Sequence, residues 1–325
     1  MSIRYVDLFC GIGGFRYAAE RALRSRDLIG ECVFSCDIDR DAQNAYEANF
    51  GERPHGDITL IHEHDVPDHD LLFAGFPCQP FSIIGESKGF EDARGALFFD
   101  IARILRAKRP TAFVLENVKQ LAGHDEGRTL SRILETLDGL GYHHSHRILN
   151  ARHFGLPQKR ERIIIVGFRD PASIAWPLAP VAMKPLKDIL ESDVPRQYYA
   201  SERIRKRRLE KCQRTDEPTI WHENKGGHIS AYPFSCALRA GASYNYLLVN
   251  GERRLTPREM LRLQGFPDSF IITGNYSTIR KQAGNAVPVP MVQAVIERVL
   301  DAIAGFISQE DLPPCRSQDL ELSKR

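Results

Sequence analysis

"IRYVDLFCGIGGF", residues 3–15, runs from an apolar strand-like stretch into a cluster of glycines. It continues as "FRYAAERALRS" (15–25), whose apolar residues recur at helical spacing. A strand turning through glycines into a helix begins a βαβ unit, and the chain then repeats the pattern. "CVFSCDID" (32–39) reads as a second strand ending in acid, and "RDAQNAYEANF" (40–50) as a helix. "DLLFAGFPC" (70–78) is a third strand, and "LFFDIARILRAKRP" (97–110) an amphipathic helix stopped by Pro110. "TAFVLENV" (111–118) is a buried strand, and "GRTLSRILETLDGLGY" (127–142) a helix closed by Gly141. "RIIIVGF" (162–168) is apolar enough to be covered on both faces. This alternation predicts an α/β fold with a doubly wound, mostly parallel sheet.

Beyond about residue 180 the texture changes. Pro, Gly, Ser and Tyr increase and periodicity weakens, which predicts a smaller irregular domain over 181–275. A helical pattern resumes at "VPMVQAVIERVLDAIAGFI" (289–307) and returns to the first domain. The first domain therefore comprises 1–180 plus 276–307, and 308–325 form a polar C-terminal tail.

The 325 residues include 42% hydrophobic and 26% charged, the balance of an ordinary globular protein. No apolar run approaches a membrane span and the N-terminus has no signal-peptide pattern, so a cytoplasmic protein is expected. A net charge of +2 does not by itself argue for nucleic acid, but "ERIRKRRLEKCQR" (202–214) and "PQKRER" (157–162) are locally basic enough to meet phosphates. Seven cysteines without a C-x-x-C pair argue against a disulfide framework. Cys32 and Cys36, four apart on one strand, are expected to share a face. Burial suits them better than zinc binding with His62, His64 or His69, and no metal is expected.

In open α/β sheets ligands sit beyond the carboxyl ends of the strands, where Gly11, Gly13 and Gly14 fall. The third glycine of a dinucleotide fingerprint is missing, and no phosphate loop is present. Asp37, a little over 20 residues on at the end of the second strand, is placed to accept the hydroxyls of a ribose, or alternatively to cap the next helix. Glycine turn and acid together suggest an adenosine ligand without a phosphate tail, S-adenosylmethionine above all, with Asp7 ordering the loop near its ammonium. Cys78, between Pro77 and Gln79 just past the third strand, faces the same crevice as a candidate nucleophile. Glu116 emerges from an apolar strand, where desolvation would raise its pKa and suit it to hold a proton near neutrality.

"DLFCGIGGF", "GFPCQPFS", "LENV", "FGLPQKRERIIIVGFR", "RLTPREMLRLQGFP" and "QAGNAVPVP" occur in that order. As a set they resemble the motifs of the DNA (cytosine-5)-methyltransferases, the compact bacterial restriction–modification type, over residues 3–305. The resemblance implies a Rossmann-like S-adenosylmethionine-dependent catalytic domain and a target-recognition domain. It implies that Cys78 attacks cytosine C6 of a flipped-out base, that Glu116 engages N3, that Arg162 holds O2 with Arg160 beside it, and that Asn117 braces the Pro77–Cys78 turn. The cofactor positions it implies are Phe9, Gly11, Gly13, Asp37, Ile38, Asp57, Leu97 and Asn285. Ile38 stands where relatives often place an aromatic. Residues 82–95 are expected to close over double-stranded DNA, with Ser82, Lys88 and Arg94 touching phosphates. Arg239 is the candidate for reading a guanine edge, followed by Ser243, Tyr244 and Asn245. The protein is expected to be a monomer that works alongside a restriction endonuclease without a stable complex. A cytosine-5 methyltransferase acting on transfer RNA is the closest rival reading. An inactive DNA-binding module and a nicotinamide dehydrogenase are weaker ones.

Overall fold

A computed structural model describes residues 2–77, 97–178 and 180–310. The chain order is β1 (Ser2–Leu8), α1 (Gly14–Arg24), β2 (Ile29–Cys36), α2 (Arg40–Phe50), β3 (Leu71–Gly75), α3 (Leu97–Lys108), β4 (Ala112–Val118) and α4 (Arg128–Gly139). Then follow β5 (His143–Asn150), β6 (Gln158–Lys159), β7 (Glu161–Phe168), α5 (Glu202–Leu209), β8 (Ile220–Glu223), β9 (Ile229–Tyr232) and β10 (Ser235–Cys236). The last elements are β11 (Leu247–Val249), α6 (Pro257–Gln264), α7 (Tyr276–Asn285) and α8 (Val289–Glu310).

Six strands form the main sheet in the order β2-β1-β3-β4-β7-β5. β2, β1, β3 and β4 are parallel; β7 runs antiparallel to both of its neighbours. Because side chains alternate across a strand, each strand feeds two cores. Tyr5, Phe73, Val114 and Ile164 face α1, α2 and α8. Val6, Leu72, Leu115 and Ile165 face α3 and α4. The expected doubly wound architecture is thus present, and α8 returns to pack against α1.

Three sequence expectations need correction. Cys32 and Cys36 do not share a face. The register steps from Tyr5↔Cys32 to Val6↔Phe34, so Val33 is an extra residue that reverses the alternation. Cys32 joins one core and Cys36 the other, and a zinc site using both is geometrically closed. β5 was not expected as a strand; it lies at the sheet edge with most side chains exposed and has no apolar alternation to reveal it. Finally, the region after residue 180 is more ordered than its texture suggested. It holds a three-stranded sheet, β11-β8-β9, over a third core that includes Ile220, Leu247, Val249, Met260 and Leu263. Leu261, Phe266 and Phe270 pack instead into the main core with α8.

Candidate active site

The carboxyl ends of the parallel strands open into one cleft of about 720 Å³. The turn after β1 forms one wall. Phe9 and Gly11 both take left-handed backbone, at φ 56° and φ 54°. A Cβ built on Gly11 meets nothing within 4 Å, so its backbone is bare toward open space. Asp37, the first residue past β2, ties the turn down. Its Oδ2 accepts the Gly11 N–H at 2.8 Å and its Oδ1 accepts the Asp39 N–H at 2.8 Å. Burial pushes the Asp37 pKa up, against those backbone donors and Lys281. The cap of α2 is Asp39, not Asp37, and Lys281 Nζ lies 2.6 Å from Asp39. Ile38 is 71% exposed at the rim, an apolar side chain available to a flat ligand. Asp57 caps a short 3-10 turn through Oδ1, which accepts from the Thr59 N–H and hydroxyl. Asp57, Leu97 and Asn285 complete this half of the lining.

Gly13 is not among the lining residues; Gly14 is. Gly13 has φ 82° as the cap of α1, and a Cβ there would stand 2.2 Å from the Phe50 ring. Its role is to let α1 start against α2. Asp7 is also corrected: it is fully buried beneath the turn, absent from the cleft, and neither carboxylate oxygen has a hydrogen-bond partner among the described residues. Burial pushes its pKa up to about 8, with Arg16 pulling the other way.

The far end of the cleft carries Pro77, Glu116, Asn117, Arg160 and Arg162. β4 ends beside β7, with Glu116 paired to Ile164 and Val118 to Arg162, which brings an acid and a base together from distant sequence. Arg162 Nε stands 2.8 Å from Glu116 Oε1. Glu116 is 7% exposed; burial raises its pKa, opposed by Arg162 and Arg160. Asn117 Nδ2 donates to the Phe76 carbonyl at 3.0 Å, two residues before Cys78. Arg160 lines the cleft with Arg162, as the resemblance implied, but it is 1% exposed and its guanidinium donates to the carbonyls of Leu238, Gly284 and Ala286.

Cys78, Ser82, Lys88, Arg94 and the expected closing segment 82–95 lie outside the described residues. Arg239 is exposed, with its guanidinium 5.1 Å from the Tyr246 ring. Ser243 is exposed. Tyr244 stacks on Tyr276 at 5.9 Å and lies under Arg280 at 4.4 Å, while the Asn245 carbonyl accepts from Arg208. None of these four lines the cleft. The basic helix α5 is less free than its charge suggested: Arg208 is fully buried, and both Arg207 and Arg208 pair with Glu223. In the other basic stretch, Gln158 and Arg160 are buried. Gly14 lines the cleft as its place in the glycine turn suggested, whereas Lys281 and Gln282 line it without having been singled out by the sequence; Lys281 precedes the "QAGNAVPVP" motif and Gln282 begins it. Among the described residues His62, Glu63 and His64 bring ligand atoms within 4.8 Å of one another, but Glu63 is already paired with Arg103 at 3.1 Å.

A family profile described as C-5 cytosine-specific DNA methylase matches residues 3–301. The type II methyltransferase M.NgoBI of Neisseria gonorrhoeae is 55% identical over 292 residues, 89% of this chain and 90% of that protein. M.HaeII of Haemophilus aegyptius, also a type II methyltransferase, is 52% identical over 301 residues, 92% of this chain and 93% of its own length. Among solved structures, the Dnmt2 methyltransferase of S. pombe superposes with a TM-score of 0.71 at 23% identity, covering 92% of this chain and 98% of that one, a likeness of fold.

Proposed function

The chain belongs to the C-5 cytosine-specific DNA methylases, and from that premise we propose how its own residues divide the work. It is a DNA (cytosine-5)-methyltransferase of the type II restriction–modification kind. The likeness to Dnmt2, at less than half the identity of the type II relatives, concerns the fold and does not favour the transfer-RNA reading.

The cleft suits S-adenosylmethionine. The bare backbone at Gly11, the acid at Asp37 and the apolar Phe9, Ile38 and Leu97 match a ribose, an adenine and a zwitterionic tail lacking phosphate. When bound, that group supplies an electrophilic methyl on sulfur. Asp37 would accept from the ribose hydroxyls, Ile38 would cover the adenine, and Asp57 would face its amino group.

Cytosine C5 is a weak nucleophile in its resting form. Cys78 thiolate would add to C6, while Glu116 hydrogen-bonds or protonates N3; electron density then rises at C5. After C5 has accepted the methyl, loss of its proton and expulsion of Cys78 restore the ring. Arg162 would hold the O2 oxygen and, 2.8 Å from Glu116, fix the carboxyl's direction. The observation that carries this reading is the buried Glu116–Arg162 pair in the same cleft as the glycine turn and Pro77. Flipping the base costs a few kcal/mol, which the protein must recover by contacts around the gap. We place sequence recognition in 181–275, with Arg239 foremost, and the finer partners as expected from sequence: a monomer acting on duplex DNA in the cytosol.

Labelled methyl should pass to duplex DNA and not to transfer RNA. Cys78→Ala should abolish transfer while duplex and S-adenosylmethionine binding persist. Undiminished turnover in that variant would overturn the mechanism.

A further inference from the structure

Arg160 joins two pieces of chain that serve different sites. Its Nη1 donates to the Leu238 carbonyl at 3.1 Å, and its Nη2 donates to Gly284 at 2.9 Å and Ala286 at 2.8 Å. Leu238 immediately precedes the exposed Arg239, whereas Gly284 and Ala286 line the cleft. The pieces also touch directly: a Cβ on Gly284 would stand 2.5 Å from the Ala240 backbone nitrogen, so glycine permits the approach. Gln158 repeats the connection one strand-step away. Its Oε1 accepts the Leu238 N–H at 3.2 Å and its Nε2 donates to the Leu263 carbonyl at 2.8 Å. Gln264, which packs beside it, donates to the Ala283 carbonyl at 2.6 Å. Finally, the Tyr246 hydroxyl accepts the Arg239 N–H at 2.9 Å. Leu238 is thus held by Arg160, which also holds residues 284 and 286, while Gln158 ties Leu238 to Leu263 and Gln264, the residue after Leu263, is tied to Ala283. Releasing one piece would strand buried donors and acceptors at about 1–3 kcal/mol each, so the two pieces move together or not at all.

We propose that Arg160 is a positioning residue that couples duplex recognition to the cofactor cleft. It does so by holding the reading segment and the 284–286 turn in one register. The inference rests on the functional reading above, in which Arg239 faces duplex and the cleft takes S-adenosylmethionine. A duplex that binds the seated form of 237–240 selects, through the shared guanidinium, the seated form of 284–286. By thermodynamic linkage a cofactor-site ligand then tightens duplex binding by the same factor.

The test starts by mapping the methylated site in DNA from cells making the full chain. A duplex bearing that site is then titrated with the protein, with and without saturating S-adenosylhomocysteine. The ratio of the two dissociation constants measures the coupling. A ratio of about 10 or more is expected for the unaltered protein, within the usual range of such couplings. In Arg160→Lys it should fall below about 3, since one ammonium cannot span all three carbonyls. Gly284→Ala, which wedges the pieces apart and keeps the Arg160 side chain, though residue 284 supplies one of its acceptor carbonyls, should do the same, and it decides the matter if Arg160→Lys does not fold. A purely structural role would lower the melting temperature and leave the ratio intact. Ratios unchanged in the variants, or a ratio near one in the unaltered protein, overturn the proposal. A protein that methylates no DNA would instead overturn the functional reading.

Discussion

Two buried acids in this molecule show how neighbours decide what a carboxyl group can do. Glu116 and Asp7 both sit out of water with raised pKa values, and Arg162 and Arg16 respectively oppose the rise. Glu116 opens on the cleft, so its carboxyl is reachable from there; Asp7 does not line it. Glu116→Gln keeps the shape and removes the acid, and should lower turnover about 100-fold or more with duplex binding within a few fold, read by single-turnover methyl transfer. A near-normal rate would remove Glu116 from the N3 role. Asp7 predicts a stability effect. An unfolded aspartate titrates near pH ~4, whereas in the fold its value is pushed up to about 8. Between those limits the unfolded chain has lost the proton and the native one keeps it, so native stability falls as pH rises and levels off above the folded value. Asp37, Arg16 and Tyr5 share that environment and shape the slope. Urea unfolding across that range should show the decline in the unaltered protein and a much flatter line in Asp7→Asn.

Among the elements, the turn between β1 and α1 shows that neighbouring glycines can have different jobs. Gly11→Ala should cost about 1–2 kcal/mol for its left-handed backbone and also weaken S-adenosylmethionine binding, because the new methyl projects where the ligand would lie. Gly13→Ala carries the same backbone penalty and drives a methyl into Phe50, so it should lower the melting temperature further. Calorimetry of binding and of unfolding separates the two; equal melting temperatures would refute the division. From sequence the two glycines looked alike, because only the third dimension brings Phe50 of α2 behind one of them. The main strands and helices were legible because each carries its own period and stop signal, Pro110 and Gly141 being examples. β5 was illegible since its edge position leaves His143, Ser145, His146 and Arg147 exposed or half-exposed, and polar residues there cost nothing. α6 carries a start signal in its sequence. Thr256 and Glu259 form a capping box around Pro257 in "TPRE". The bulge at Val33 left no mark in the sequence, and neither did the recruitment of Arg160 to distant carbonyls.

At the scale of the whole molecule, the chain closes on itself. α8, the last helix described, packs against α1, the first, so the glycine turn that lines the cleft rests on helices far apart in the sequence. Val287, just before α8, would lie 2.7 Å from a Cβ on Gly14, and it lines the cleft as well. Met291, Val292, Val295, Ile296 and Val299 are fully buried in the core they share with Phe15, Ala18 and Ala22 of α1. The irregular region between residues 181 and 275 is inserted between this sheet and the helix that completes its cover, so its Leu261 and Phe266 enter the same core. Packing in α8 should therefore reach the cleft as well as overall stability. Ile296→Ala removes a fully buried side chain and should cost about 2–5 kcal/mol, seen as a lower midpoint in urea. If α8 supports the glycine turn as described, the same variant binds S-adenosylmethionine more weakly at a temperature where it remains folded, and saturating ligand restores part of the lost midpoint. An equally deep truncation on the other face of the sheet, Ile104→Ala in α3, should lower the midpoint similarly with a smaller effect on ligand affinity, since Ile104 packs in the opposite core. Identical affinity losses in the two variants would show that the cleft senses stability in general and not the closure of the chain.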